Sequence, residues 1–452
     1  MMSHTRRAFL RGTAVAAVAT LALTGCGSGD SNEGETAAPV ASAVSDQQVE
    51  AALQAGGTIK VWAWEPTLKQ VVEKFQQKYP KVKVELVNAG TGNDQYTALQ
   101  NAIAAGSGVP DVAHIEYFAV KQFALGKSLA DLSPYGAKAL QSTYTPGPWA
   151  GVSADTGVFG LPMDSGPMAL YYNKEIFDKH DVAVPTTWDE YLAAARKLHQ
   201  ADPKVYITAD TGDAGFVTSM VWQAGGKPYQ VDGTNVTINF ADEGAKRFTT
   251  LWQSLMTEKL VAPITAWNDE WFQGLANGTI ASLATGAWMP ANLQSGAAGG
   301  KGKWRVAPLP QWQAGGTASA ESGGSALSVL NAGTNKTLAY GFVKYANAGE
   351  GVGIRLANGA FPATVADLTS PAFLATEFPY FGGQKANEIF AKSAQGVVSG
   401  WSYLPFQVYA NSIFNDTAGK AYVSGTTLQD GLKAWQDASA AYGTEQGFTI
   451  KQ

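Results

Sequence analysis

Thr58-Ile59-Lys60-Val61-Trp62-Ala63-Trp64 is a run of β-branched and aromatic residues that stops at Glu65-Pro66, and it reads as a strand. Pro66 opens a helical stretch, Thr67 to Tyr79, that gathers Leu68, Val71, Val72 and Phe75 on one face. A second strand, Lys81 to Val87, follows Pro80; Gln95 to Ala105 reads as a helix and Asp111 to Glu116 as a third strand. Strand, helix, strand, helix, strand predicts a parallel sheet with right-handed crossovers. Ligands of such sheets bind outside the carboxyl ends of the strands. Trp64 with Glu65, and Glu116 with Tyr117, are therefore expected at one edge of a cleft.

Towards the C-terminus a second α/β region is expected, with helices at Thr187 to Gln200, Asp242 to Glu258 and Asp269 to Asn277. Glycine-rich junctions at Ala314-Gly315-Gly316 and Gly323-Gly324 separate it from another helix, Lys336 to Asn347. From Pro371 onward the pattern is mostly helical. A chain of 452 residues, 45% hydrophobic, is long enough for two lobes with separate cores.

Towards the N-terminus the chain runs from a basic start, with Arg6, Arg7 and Arg11, through apolar Gly12 to Leu23, and ends in Leu23-Thr24-Gly25-Cys26. The apolar run is short of the roughly 20 residues that span a bilayer, so residues 1–25 read as a signal peptide. Cys26 is the single cysteine, which rules out a disulfide within the chain. Leu23 to Cys26 resembles a bacterial lipobox, whose cysteine is diacylated, and Thr5-Arg6-Arg7-Ala8-Phe9-Leu10 resembles a twin-arginine export signal. Residues 26–57 are expected to form a flexible stalk, with room for a short helix near Asp46 to Gln54. A lipid-anchored protein at the outer face of the cell membrane is the expectation.

Lys and Arg number 32 against 37 Asp and Glu, and removal of the leader takes three of the arginines. No cluster of four Lys/Arg exists, which argues against a nucleic-acid partner. His4, His114, His180 and His199 show no ligand spacing for zinc, and no phosphate loop, dinucleotide fingerprint or nucleophile elbow is present. No metal and no cofactor is expected. Glu65, Asp111, Glu116, Asp164, Asp269 and Glu270 leave a carboxylate-pair hydrolase open, because spacing alone does not fix carboxylate geometry.

Charged residues make up only 15% of the chain, while Trp reaches 13 and Gly 50. An indole face stacks on the apolar face of a sugar while neighbouring Asp, Glu and Asn bond its hydroxyls. Pairs of that kind occur at Trp64-Glu65, Glu116-Tyr117, Trp222-Gln223, Trp267-Asn268-Asp269, Trp288 near Asn292, and Trp401-Ser402-Tyr403. Trp62, Trp252 and Trp435 read instead as core, and Trp188 as a staple at a helix start.

Gly160-Leu161-Pro162-Met163-Asp164 through Tyr171-Tyr172-Asn173-Lys174-Glu175-Ile176-Phe177, continued by Pro185-Thr186-Thr187-Trp188-Asp189-Glu190, resembles the solute-binding proteins of bacterial ATP-binding-cassette sugar importers, family 1 type. Phe75 to Pro80, Gly108 to Val112, Asn277 to Ala281, Gly286-Ala287-Trp288, Pro308-Leu309-Pro310 and Gly323 to Leu327 follow the same pattern in order. The resemblance implies a two-lobed periplasmic-binding-protein-like α/β fold, each lobe a largely parallel sheet flanked by helices, closing by a hinge. It implies lobe 1 from residues 58–163 and 325–372, lobe 2 from 164–324 and 373–452, and hinge crossings near Leu161 to Pro167, Gly323 to Ser328 and Pro362 to Pro379. The implied ligand contacts are Trp64, Glu65, Glu116, Tyr117, Asp164, Trp222, Trp288, Gly323, Gly324 and Trp401, with Asn93, Trp267 and Tyr403 behind them. The implied function is capture of a neutral sugar or oligosaccharide by a monomer that passes it to membrane permeases, without turnover. A polyamine on the same fold, or an extracellular glycoside hydrolase, are the alternatives.

Overall fold

A computed structural model describes residues 43–154 and 156–452; the leader, Cys26 and the first part of the stalk lie outside the described residues. Order begins earlier than residue 58. Helix α1 (Asp46–Ala55) starts in a capping box, with the Ser45 and Gln48 side chains each bonding the other's backbone N–H. Its Val49 and Leu53 are buried, so the stretch from 43 to 57 is part of the body and not of a stalk.

The first sheet grows from β1 (Gly57–Trp62), α2 (Leu68–Lys78), β2 (Val82–Val87), α3 (Asn93–Ala105) and β3 (Val112–Glu116), which runs straight into α4 (Tyr117–Leu125). β1 pairs in parallel with both β2 and β3, as the alternating pattern predicts. The chain next reaches a short strand, β4 (Leu161–Pro162), and crosses to a second body.

That body holds β5 (Met168–Asn173), α5 (Trp188–Ala201), α6 (Ala214–Gln223), α7 (Glu243–Thr257), α8 (Asp269–Asn277), β6 (Ser282–Gly286), α9 (Met289–Gly296) and β7 (Trp304–Ala307). Thr187 caps α5 through a box with Glu190. The chain returns through β8 (Ser325–Val329), α10 (Lys336–Ala348) and α11 (Glu350–Ala357), and ends with α12 (Ala386–Gln395), α13 (Gln407–Ser412) and α14 (Leu428–Glu445).

The first sheet has the order β2-β1-β3-β8-β4, with β8 antiparallel to both of its neighbours. In the second body Thr208–Ala209 pairs in parallel with Val261–Ala262 and Tyr206 bridges Ile280 in parallel, but the three-stranded sheet beside them departs from the parallel expectation. Its order is β6-β5-β7, and both outer strands run antiparallel to β5. The reason lies in connectivity: β6-α9-β7 is a strand-helix-strand unit whose two strands run the same way, and β5 is inserted between them.

Separate cores hold the two bodies. Ile59, Val61, Phe75, Val112, Leu327 and Phe342 pack on one face of the first sheet, and Tyr96, Ile115, Val120 and Phe123 on the other. In the second, Trp188, Tyr191, Trp252 and Trp435 join a large helical core, while Tyr171, Leu283, Trp304 and Phe390 pack against the sheet. Each such buried aromatic stabilises the fold by about 2–3 kcal/mol.

Three chain crossings join the bodies side by side, bridged at Pro167 with Glu321 and at Asp164 with Pro362. The third runs through Phe361 to Ala363: Phe361 packs in a core of the second body and Ala363 in the first. Ser165 Oγ and Gly166 N–H donate to the Glu321 carboxylate at 3.0 and 2.6 Å, tying the first crossing to the second.

Candidate ligand-binding cleft

The carboxyl ends of β1 and β3 open on a cavity of about 630 Å³ between the two bodies. Trp64 and Glu65 follow β1, and Glu116 ends β3, so the crossover topology alone brings them to one wall. Trp64 stacks on His114 with ring centres 3.8 Å apart and meets the edge of Tyr96 at 6.1 Å. Those contacts fix the indole from behind. Tyr96 donates its hydroxyl to Glu116 Oε2 at 3.0 Å and accepts the Glu116 N–H at 2.8 Å. Thr67 Oγ1 donates to Glu65 at 2.7 Å. Asn93 and Asp94, at the start of α3, complete this side.

The floor is made by the crossings. Asp164 Oδ1 accepts the Ser325 N–H and hydroxyl at 2.6 and 2.7 Å. Gly323 and Gly324 adopt φ of +70° and +96°, the left-handed region in which side chains are strained. A Cβ at Gly324 would meet the Tyr117 ring at 2.7 Å, so that glycine also permits a close approach. A Cβ at Gly323 would lie 3.7 Å from Glu116 Oε1 and 3.5 Å from Trp288 Nε1, which marks where the two walls converge.

The second body supplies Trp288, Trp267 and Trp271. Trp288 donates its N–H to the Ser322 carbonyl at 2.6 Å. Trp267 is 49% exposed at the mouth, 5.6 Å from the Trp288 ring and 5.1 Å from Trp271, on a backbone with φ of +71°. Asp210 accepts from Trp252 Nε1 at 2.7 Å and from Gly212 N–H, and Asp213 caps α6 through Phe216 N–H at 2.6 Å. Asn292, Asn411 and Asn415 also reach the wall.

Burial sets the electrostatics. It pushes Glu116 up to about 7, with Asp213 and Asp164 adding to the effect and the Tyr96 hydroxyl opposing it. Asp164 rises to about 6 by burial, offset by the bonds from Ser325 and by the charge of Arg355. Asp210 rises to about 6 by burial, against its bonds from Gly212 and Trp252. His114 is pushed down to about 3 by burial and by Arg355, so it is a neutral backing ring. Carboxyl groups poised in this way both donate to and accept from hydroxyls near neutral pH.

Of the residues singled out by sequence, Trp64, Glu65, Glu116, Asp164, Trp288, Gly323 and Gly324 meet at the cavity, together with Asn93 and Trp267. The structure does not bring Tyr117, Trp222, Trp401 or Tyr403 to its wall. Tyr117 lies beneath Gly324, 5% exposed, and donates its hydroxyl to the Asp164 carbonyl. Trp222 and Trp401 stack face to face, 4.9 Å apart at 6°, and the Trp222 N–H goes to the Val398 carbonyl. Trp222 sits in the last turn of α6, whereas the cavity meets the first turn. Tyr403 packs edge-on to Trp401 and Phe118. Asp111, Asp269 and Glu270 are not on the wall either.

Sequence reasoning missed Asp210, Asp213, Trp271, Asn411 and Asn415. Asp210-Thr211-Gly212-Asp213, a polar turn that caps a helix, was the available signal for the first two. Among the described residues no group of three or more His, Asp or Glu is placed to hold a metal ion, and no helix is long and apolar enough to cross a membrane.

Residues 62–352 match the family model of bacterial extracellular solute-binding proteins. The chain belongs to that family. Among solved structures, this solute-binding protein is 46% identical, with a TM-score of 0.84 over 87% of its own chain and 99% of the other, to the transporter-associated binding protein from B. animalis subsp. lactis Bl-04 in complex with β-1,6-galactobiose. It shares its fold, at 24% identity and a TM-score of 0.76 over 87% of its chain and 98% of the other, with the galacto-N-biose/lacto-N-biose I-binding protein of Bifidobacterium longum. The lactose-binding protein of Rhizobium radiobacter is 24% identical over 408 residues, or 85% of this solute-binding protein and 92% of that one.

Proposed function

We propose that the protein binds a neutral oligosaccharide between its two lobes, without turning it over, and hands it to the permeases of an ATP-binding-cassette importer. The observation that carries this reading is the joint wall: Trp64 from one lobe and Trp288 with Trp267 from the other, with Glu65, Glu116 and Asp164 between them. Indole faces take up the apolar faces of sugar rings, and the carboxyl groups bond the hydroxyls. The 46% identical relative holds β-1,6-galactobiose, which makes β-linked galactosides the first ligands to try. The crossings serve as the hinge about which the lobes close.

The carboxyl-rich wall also suits a polyamine, so spermidine belongs in the same test. A thermal-shift and fluorescence titration with di- and trisaccharides decides it: a galactoside raises the melting temperature in a concentration-dependent way. A shift with spermidine and none with any saccharide replaces sugar by polyamine. Attachment to the membrane is assigned to Cys26, and Cys26→Ala releases a folded, ligand-competent monomer to the medium; retention of that variant in the membrane fraction sinks the anchor assignment.

A further inference from the structure

Six carboxyl groups, Glu65, Asp94, Glu116, Asp164, Asp210 and Asp213, line the cavity from both lobes and from the crossings, and none of the residues that line it with them is Lys or Arg. The outer surface is arranged differently. The ion pairs found among the described residues, such as Lys78 with Glu350 or Arg196 with Glu258, lie on exposed side chains, and none involves any of the six. Charges are thus mixed outside and of one sign inside.

The partners of the cleft carboxyls are uncharged: hydroxyls of Thr67, Tyr96 and Ser325, the Trp252 indole, and backbone N–H groups. Arg355 is the cation whose charge is felt at Asp164, but it is 2% exposed behind the crossing, where it donates to the Met163 carbonyl. His114 is on the wall, 3% exposed, with neither ring nitrogen bonded to a protein partner. Burial keeps that ring uncharged and leaves its two nitrogens without exposed surface, so it gives an anion neither a counter-charge nor a donor.

We propose that the cleft sorts saccharides by charge, admitting uncharged ones and refusing those that carry a carboxylate, sulfate or phosphate. The inference rests on the saccharide reading above and deepens it. A ligand anion about 6 Å from one such carboxylate, at an effective dielectric of about 20, loses on the order of 100-fold in affinity. No guanidinium or ammonium on the wall offsets that loss. The repulsion is also tied to proton uptake. Lowering the pH from 8 to 5.5 protonates Glu116, whose carboxyl titrates at about 7, and partly protonates Asp164 and Asp210, at about 6. A uronate ligand stays ionised throughout that range.

The test is calorimetric titration of the intact exported protein with 6-O-β-galactosyl-galactose and with 6-O-β-galacturonosyl-galactose, which differ by one carboxylate. The neutral disaccharide is expected to bind on the order of 100-fold more tightly at pH 8. The ratio is expected to shrink roughly tenfold at pH 5.5 as the wall loses charge. In the double variant Glu65→Gln with Asp94→Asn it shrinks at pH 8 as well, because two of the repelling charges are gone. Binding of the two ligands within a few-fold at pH 8, or a ratio indifferent to both pH and the double variant, overturns the charge filter and leaves the saccharide reading standing. If neither disaccharide binds at either pH and no saccharide of the panel raises the melting temperature, the saccharide reading falls and the filter with it.

Discussion

Two tryptophan pairs look alike in sequence and differ in what the fold leaves open. Trp64 and Trp288 sit on opposite walls of the cleft, while Trp222 and Trp401 cover one another at 4.9 Å. All four lie beside turn residues or at the end of an element. In the cleft, Trp288 spends its N–H on the Ser322 carbonyl, and His114 backs Trp64 on one side. In the second pair the ring faces pack against each other, Trp222 in the helical core and Trp401 partly buried against it. An indole becomes a candidate platform when the protein holds it from one side and leaves the other towards the cavity, and sequence position shows neither condition.

The largest effect that separates the pairs is on stability. Trp222→Ala leaves a void in the core and is expected to cost about 3–5 kcal/mol, read as a lower denaturation midpoint, with the affinity of the folded fraction unchanged. Trp64→Ala reverses that pattern: affinity for the saccharide falls by roughly 30-fold, about 2 kcal/mol, with little change in melting temperature. If Trp222→Ala abolished binding at unchanged stability, the two pairs would have to exchange roles.

Much of the first lobe was legible because its elements obey local rules. The Thr58 to Trp64 run, the Pro66 and Pro80 boundaries and the capping box at Thr187 each act over a few residues, and the strand-helix alternation fixes the parallel order of β2-β1-β3. The strand-end rule then located Trp64, Glu65 and Glu116. The antiparallel sheet of the second lobe was not legible, since β5 is placed between β6 and β7 by strands more than a hundred residues away in sequence. Asn411 and Asn415 escaped for the same reason. A short helix near Asp46 was allowed for within the stalk, but its docking on the body depends on distant Gly341, where a Cβ would meet Leu53 at 2.9 Å.

A smaller effect contrasts the Trp222 pair with the floor of the cleft. Gly324→Ala forces a side chain onto a φ of +96° and against the Tyr117 ring, and about 1–3 kcal/mol of destabilisation is expected together with weaker ligand binding. The last is the pH response, which is spread over four groups. Glu116, Glu321, Asp164 and Asp210 have folded-state values raised above those of the unfolded chain, to about 7 for the two glutamates and about 6 for the two aspartates. The native state therefore holds protons more tightly, and its stability falls as pH rises from about 4.5 through 7. The ligand-free protein is expected to melt a few degrees higher at pH 5 than at pH 8, with a smaller difference in Glu116→Gln. A melting temperature that rises over that range contradicts the burial of these groups.

Calorimetric titration of the protein and its Trp64→Ala, Trp288→Ala and Trp401→Ala variants with β-1,6-galactobiose at pH 7.5 tests the central claim most directly. One saccharide bound per chain, weakened by loss of either cleft tryptophan and unaffected in the folded Trp401→Ala protein, is the predicted result. Binding that survives both cleft substitutions and disappears with Trp401 would contradict the assignment of the ligand to this cavity.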